Sequence, residues 1–530
     1  MNFLQFFILQ LVLQKIINIM KRRDFIKKTG VGGASLLVTG RSEFSAVQNS
    51  GSAIIIDPAP VFELSPWLYM QFMEPLGVTD TSVEAAWDHQ SNKWRDDVIE
   101  VTKELAPGMI RWGGIFSSYY RWKEAVGPRN QRKPMLNITW NGIETNQIGT
   151  AELVDFCRQT GADPLMAVNF ESEGFEGYAK TKSGGIRSAD ANEAAEWVDY
   201  CNNPSNKLRI KHGSKDPLTI KMWQLGNETS YGKNKFDVEK AALKTIEFAD
   251  AMRKADPSIK IIGWGDSGWA KRMIEVAGDK MDLVAFHHMY NPGQNIKNSP
   301  LRDNDYRRDP AGTWEILMDA YRMHETKIKN IRDEVASFKM PIALTECHYA
   351  IPGRNRCEVL SSWAAGVSYA RLANLHERNG DLLKIATLAD FCGTRWQVNA
   401  IMIPVPSGKA FMMPVAKIMA LYRKYSGKEY LNATGMPSEL DVTASRSGNK
   451  IFLHVVNTNR VRQMAISLRV NGQKISTAKA FELSADPEFE ILSASGDPMI
   501  PKERTLSLNE PVIFPGASVT AVELSLEVNN

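Results

Sequence analysis

Eight short apolar runs, each four to six residues long, recur between residues 67 and 389: 67–72, 109–112, 164–168, 221–225, 260–264, 283–288, 341–345 and 384–389. Runs that short and that apolar suit strands buried on both faces. Between them lie stretches with helical periodicity, such as 151–160, 239–255 and 361–379. Parallel strands need long crossovers, so this alternation predicts an α/β chain with a (β/α)8 barrel over residues 67–430. Beyond residue 438 the pattern changes. Strand-like runs at 441–445, 451–457, 464–470, 479–483 and 518–525 are separated by Gly, Asn and Pro. They predict a C-terminal antiparallel β-sandwich over 438–530, joined by a strand at 53–56 within an N-terminal 53–66 region.

The formal charge of +4 belongs to the N-terminus. Residues 1–47 hold seven Lys or Arg against Asp24 and Glu43, and the remainder carries 57 basic and 58 acidic side chains. No global basic field for nucleic acid is expected. The segment Lys21-Arg22-Arg23-Asp24-Phe25-Ile26-Lys27-Lys28, followed by an apolar stretch at 31–38 and Phe44-Ser45-Ala46, resembles a twin-arginine export leader over 1–47. It predicts a periplasmic or extracellular enzyme, with Met20 an alternative start. No other run approaches the roughly 20 apolar residues of a membrane span. Five scattered cysteines (Cys157, Cys201, Cys347, Cys357 and Cys392) read as buried thiols, without disulfide or zinc-site spacing.

In a barrel of this kind functional groups sit at C-terminal strand ends, and polar residues gather there. Runs one and two lead into Gln71-Phe72-Met73-Glu74 and Arg111-Trp112-Gly113-Gly114. Run three is followed by Asn169 and run four by Gly226-Asn227-Glu228. Run six ends in His287-His288-Met289-Tyr290, run seven leads to Glu346 and run eight to Asp390. A carboxylate following a buried strand is costly unless paired or functional. Glu228 and Glu346, on strands four and seven, face each other across the mouth. That is the pair a retaining glycoside hydrolase needs, one ionised to attack the anomeric carbon and one protonated to release the leaving group. Two carboxylates and water suffice, so no metal or organic cofactor is called for.

The motifs resemble those of the family-51 glycoside hydrolases, best known as α-L-arabinofuranosidases. The densest stretch is 111–150, with Tyr120-Arg121-Trp122, Gly127-Pro128-Arg129 and Trp140-Asn141-Gly142-Ile143-Glu144-Thr145-Asn146-Gln147-Ile148-Gly149-Thr150. Ala167-Val168-Asn169, Trp197-Val198-Asp199-Tyr200-Cys201-Asn202 and Leu225-Gly226-Asn227-Glu228 continue it. Leu440-Asp441-Val442-Thr443-Ala444-Ser445 and Val455-Val456-Asn457 extend it to the C-terminal region. The resemblance implies Glu228 as acid/base and Glu346 as nucleophile. It further implies Glu74, Arg111, Asn227, His288, Tyr290 and Trp140 as substrate-binding residues, and it leaves His287 and His348 without a role. An oligo- or polysaccharide substrate is implied, plant side chains trimmed from the end, and self-association is compatible with it. Four positions depart from the family: Ile115 where an asparagine is usual, Thr345 and Cys347 flanking the nucleophile, and Asp390 in place of a glutamine. They leave open another furanoside or a β-linked pyranoside as substrate (endo-glucanase or β-xylosidase type), or a sugar-binding protein without catalysis.

Overall fold

Ser65 and Pro66 decide where the first parallel strand begins. The Ser65 hydroxyl accepts the Trp67 N–H at 3.2 Å, and Pro66 opens a 3-10 turn over Pro66–Tyr69. The strand therefore starts only at Gln71, where the apolar run alone suggested residue 67. The computed structural model describes residues 48–181, 185–302, 305–351, 357–495 and 499–527. The leader expected over 1–47 lies outside the described residues.

Eight parallel strands follow in register: β1 (Gln71–Met73), β2 (Met109–Trp112), β3 (Asp163–Val168), β4 (Met222–Leu225), β5 (Lys260–Trp264), β6 (Leu283–Tyr290), β7 (Ile342–Tyr349) and β8 (Leu383–Ala386). Each pairs with the next in chain order. The Met70 N–H donates to the Ala386 carbonyl at 2.9 Å, so the first strand's entry also touches the last. Alternate residues make one apolar cluster on one face: Met109, Leu165, Met222, Ile262, Ala343 and Ile385 are among them. The opposite faces, through Ile110, Met166, Trp223 and Leu344, share the main core with Phe156, Trp197, Phe248 and Trp363 of the intervening helices. No helix among the described residues is long and apolar enough to cross a membrane.

Asp390 does not end β8. It opens a separate strand, Asp390–Gly393, which pairs with β1 and with Asn399–Met402. A hydrogen bond from the Thr387 hydroxyl to the Ala389 carbonyl turns the chain between the two.

A nine-stranded sheet is antiparallel except at one pairing. Its strand Gln48–Glu63 runs antiparallel to Glu429–Thr434 and parallel to Met464–Val470. The register with Glu429–Thr434 breaks on both sides of Pro60, which has no N–H to give the ladder. Three of its strands, Glu429–Thr434, Lys502–Thr505 and Val512–Phe514, escape the apolar pattern because they are short or largely exposed. Helix Trp363–Arg378 joins this sheet to the parallel one. Its buried Glu377 accepts from Tyr69 and Thr443, each at 2.5 Å, and lies 3.0 Å from His454. All five cysteines are buried and free.

Leu165 belongs to the apolar cluster inside the parallel strands and is fully buried. Leu165→Ala should lower unfolding free energy by about 2–5 kcal/mol, read as a shift in the urea midpoint. A loss below about 1 kcal/mol would mean that this interior is not close-packed.

Candidate active site

The site is built around one buried cation. Arg111 leaves β2 on the same face as Met109 and is wholly inaccessible to solvent. Its Nη1 donates to Glu346 Oε1 at 2.8 Å, its Nη2 to Asn227 Oδ1 at 2.7 Å and its Nε to Gln224 Oε1 at 2.9 Å. Gly113 leaves room for it, since a Cβ there would lie 2.6 Å from the Ala167 side chain and 3.2 Å from the guanidinium carbon.

Glu346 reaches Arg111 only through a break in strand alternation. Ala343 faces inward and Leu344 outward, so strict alternation would send Thr345 in and Glu346 out. The β6–β7 register shifts here: Phe286 pairs with Leu344, but His287 pairs with Glu346. The extra residue is Thr345, a β-bulge that turns both Thr345 and Glu346 toward the interior.

Glu228 depends on a second backbone departure. It follows Gly226 and Asn227 at the end of β4 with φ of +52°, a left-handed conformation that a side chain disfavours. Asn234 Nδ2 donates to its carbonyl at 2.6 Å. Burial pushes the Glu228 carboxyl up to about 7, with Arg111 opposing that shift and Asp266 adding to it.

His287 lies between the two carboxylates. Its Nδ1 is 3.1 Å from Glu228 Oε1 and 3.7 Å from Glu346 Oε2, and its Nε2 is 2.9 Å from Thr345 Oγ1. Burial brings it down to about 4, so the ring is neutral near neutral pH. Glu228, His287 and Glu346 each offer a ligand atom within 4.8 Å of the others, a spacing that also suits a metal. A dication there would stand beside the buried Arg111 guanidinium, a like-charge cost that favours the carboxylate pair.

Glu74 and Asp390 complete the acidic wall. Glu74 Oε1 accepts from the Phe116 N–H at 3.2 Å and from Trp140 Nε1 at 3.3 Å. Gly114 makes this possible, because a Cβ there would fall 2.1 Å from the Glu74 carboxyl carbon. Burial raises both Glu74 and Asp390 above the usual carboxylate range, and the charge of Glu346 raises both further. Trp140 is half-buried and meets Trp396 edge to face, ring centroids 5.7 Å apart.

The structure thus brings Glu228, Glu346, Arg111 and Asn227 together, with Glu74 and Trp140 linked to each other. It does not bring in His288 or Tyr290. The sequence reading put His288 toward the sugar and left His287 without a role; in the structure it is His287 that meets the two carboxyls. His288 Nδ1 is 2.8 Å from His324 Nδ1, and its ring stacks on Tyr290 with centroids 4.2 Å apart. The physical reason is parity. His287 continues the inward series Leu283 and Ala285, whereas His288 steps off it. His348 is also turned aside, its Nδ1 2.8 Å from the Tyr349 carbonyl.

Residues 101–308 match the family described as "Alpha-L-arabinofuranosidase 1 domain". An "Intracellular exo-alpha-(1->5)-L-arabinofuranosidase" of Halalkalibacterium halodurans is 33% identical over 258 residues, 45% of this chain and 48% of that protein. A protein of the same name from Acetivibrio thermocellus is 31% identical over 263 residues, 46% of this chain and 49% of that one. The chain spans about half the length of these curated relatives. The solved α-L-arabinofuranosidase of Thermotoga maritima, an arabinose complex, shares the fold at a TM-score of 0.72 and 24% identity, covering 89% of this chain and all of that one. The relatives' names overturn the expectation of export: both are named intracellular. A basic segment before a mildly apolar run is a pattern that an N-terminus also reaches without being a transport signal. Over residues 101–308 the chain is similar to an α-L-arabinofuranosidase domain, and over most of its length its fold is similar to that of solved α-L-arabinofuranosidases.

Proposed function

We propose that this chain is a cytoplasmic retaining exo-α-L-arabinofuranosidase with Glu346 as nucleophile and Glu228 as acid/base. One observation carries the proposal: two carboxyls approach within 4.8 Å, one buried and paired with a buried arginine, the other half-buried and pushed up to about 7. A spacing near 5 Å suits double displacement, since an inverting pair needs room for a water between its carboxyls. Glu346 attacks the anomeric carbon while Glu228 gives its proton to the departing oxygen. Glu228 then takes a proton from water, which releases the sugar with its configuration retained. Neutral His287 holds the two carboxyls near each other without adding charge. The exo action and intracellular setting are read from the relatives' names.

We read residues 67–430 as a closed (β/α)8 barrel and 438–530, with 53–66, as a β-sandwich. The Met70–Ala386 bond and the shared inward cluster support closure. For the sugar we assign Glu74, Arg111, Asn227 and Trp140. The Asn227 Nδ2 is buried without a hydrogen-bond partner among the described residues, as suits a donor kept for a substrate hydroxyl.

Glu346→Ala should abolish turnover with the fold intact by circular dichroism, and azide should restore activity with inverted product stereochemistry. Retained wild-type activity would assign the nucleophile elsewhere.

The acid form of Glu228 persists to higher pH because its pKa is raised, so kcat/KM should fall as pH rises through about 7. A profile on an unactivated substrate that stays flat from about pH 6 to 8 contradicts the assignment.

A second reading, another furanoside or a β-linked pyranoside, draws on Ile115, whose side chain cannot hydrogen-bond where the resemblance implies an asparagine. The test is kcat/KM across arabinofuranoside, galactofuranoside, xyloside and glucoside substrates, for wild type and Ile115→Asn. Arabinofuranoside should lead, and Ile115→Asn should hold or improve that rate. Another glycone leading by about tenfold, about 1.4 kcal/mol of discrimination, would favour the second reading.

A further inference from the structure

The loop after β3 contains a carboxyl that the proposed chemistry does not use. Glu171, Ser172 and Glu173 have φ of +48°, +51° and +49°, and Gly174 follows at +72°. Three consecutive left-handed residues with side chains are disfavoured and persist only where surroundings hold them. Here they are held at several points. Asn169 Oδ1 accepts the Ser172 N–H at 3.0 Å, and the Glu173 carbonyl accepts the N–H groups of Lys235 and Phe236 at 3.1 and 3.2 Å. Lys244 Nζ donates to Glu171 Oε1 at 2.6 Å.

That turn drives the Glu173 side chain into the interior, where it is fully buried. Its Oε1 accepts the Asn227 N–H at 3.1 Å. The same oxygen would lie 2.9 Å from a Cβ on Gly226, so it rests directly against the Gly226-Asn227-Glu228 turn. Glu228 is left-handed and the Asn227 N–H belongs to the residue before it, so this hydrogen bond lies one residue from the backbone rotation that aims the Glu228 carboxyl. Carboxyls are expensive to bury, and burial raises this one although the Ser118 hydroxyl beside it opposes that shift. Apolar packing at this position would avoid that cost but would leave the Asn227 N–H unsatisfied.

We infer that Glu173 is a positioning residue that fixes the turn carrying Glu228, and so sets how well Glu228 protonates a leaving group. The inference rests on the reading of Glu228 as acid/base. Burial pushes the Glu173 carboxyl up to about 8, so near neutral pH a glutamine there reproduces both its acceptor and its lack of charge.

The test compares kcat/KM on 4-nitrophenyl α-L-arabinofuranoside, whose leaving group departs without a proton, with kcat/KM on an arabino-oligosaccharide, whose leaving group needs one. Glu173→Ala should lose about 10- to 100-fold on the oligosaccharide and no more than about 3-fold on the nitrophenyl substrate. Glu173→Gln should recover to within about 3-fold of wild type on both, a range set by retention of the acceptor. Equal losses on the two substrates, no loss at all, or a Gln variant as poor as Ala each overturn the inference. Should Glu173→Ala fail to fold, Glu173→Asp, with the acceptor drawn back by one methylene, must show the same selective loss. Glu228→Ala is measured alongside. A selective loss in Glu228→Ala without one at residue 173 rejects only the positioning role, whereas its absence in Glu228→Ala rejects the acid/base reading itself.

Discussion

The architecture of the site depends on the burial of the Arg111 guanidinium. A buried cation is tolerable only when its donors are used and its charge is balanced, and Arg111 meets both conditions through Gln224, Asn227 and Glu346. Those partners come from β4, the turn after it and β7, so the hydrogen bonds that satisfy the charge also bring together strands far apart in sequence. Removing either member of such a pair typically costs about 3–5 kcal/mol, because the partner is left charged and buried. The planar fork matters as much as the charge. Three separate acceptors at 2.7–2.9 Å need a donor with fixed directions, which an ammonium lacks.

One cation among several carboxyls imposes a division of charge. Glu346 has the guanidinium. Glu74 and Asp390 share its neighbourhood, and burial together with the Glu346 charge raises both above the usual carboxylate range. Neutral carboxyls donate as well as accept. This changes what Asp390 means. Read from sequence, an aspartate where relatives carry glutamine removes a donor from the sugar's side. In the folded site burial and the Glu346 charge both raise the Asp390 carboxyl, which lessens the contrast in charge between an aspartate and a glutamine at this position. Ile115 has no such compensation, and it remains the sharper departure.

Glu228 and Glu346 were legible in the sequence because a carboxylate after a short apolar run violates the expected pattern of burial. Arg111 stood out as a charged residue inside a short apolar run, and its role was implied by the family resemblance. His287 and His288 could not be told apart, since which of two neighbours faces inward depends on strand parity. At β7 the parity itself is reset by the bulge at Thr345, which no periodicity announces. The start of β1 was hidden by an apolar 3-10 turn whose Ser65 and Pro66 were the better signal. Asp390 was assigned to β8 because the apolar run continues through Leu388 and Ala389, while the chain turns there through side-chain hydrogen bonding. Glu173 gave no signal, because it lies in a loop and is buried by backbone geometry alone.

The two catalytic candidates share one structural device. Each is aimed by a local departure from regular backbone, a left-handed residue at Glu228 and a bulge before Glu346, and each departure is held by side chains that do no chemistry. Regular strands deliver side chains at fixed intervals, and here two carboxyls from strands separated by β5 and β6 approach within 4.8 Å. Irregular backbone gives the needed freedom, at a cost of order 1–3 kcal/mol per strained residue. A large, closely packed surround can bear that cost. Helix Trp363–Arg378, buried along most of its length between two sheets, illustrates the rigidity available. The precision of the site therefore depends on the packed fold around it as well as on Arg111 and its partners.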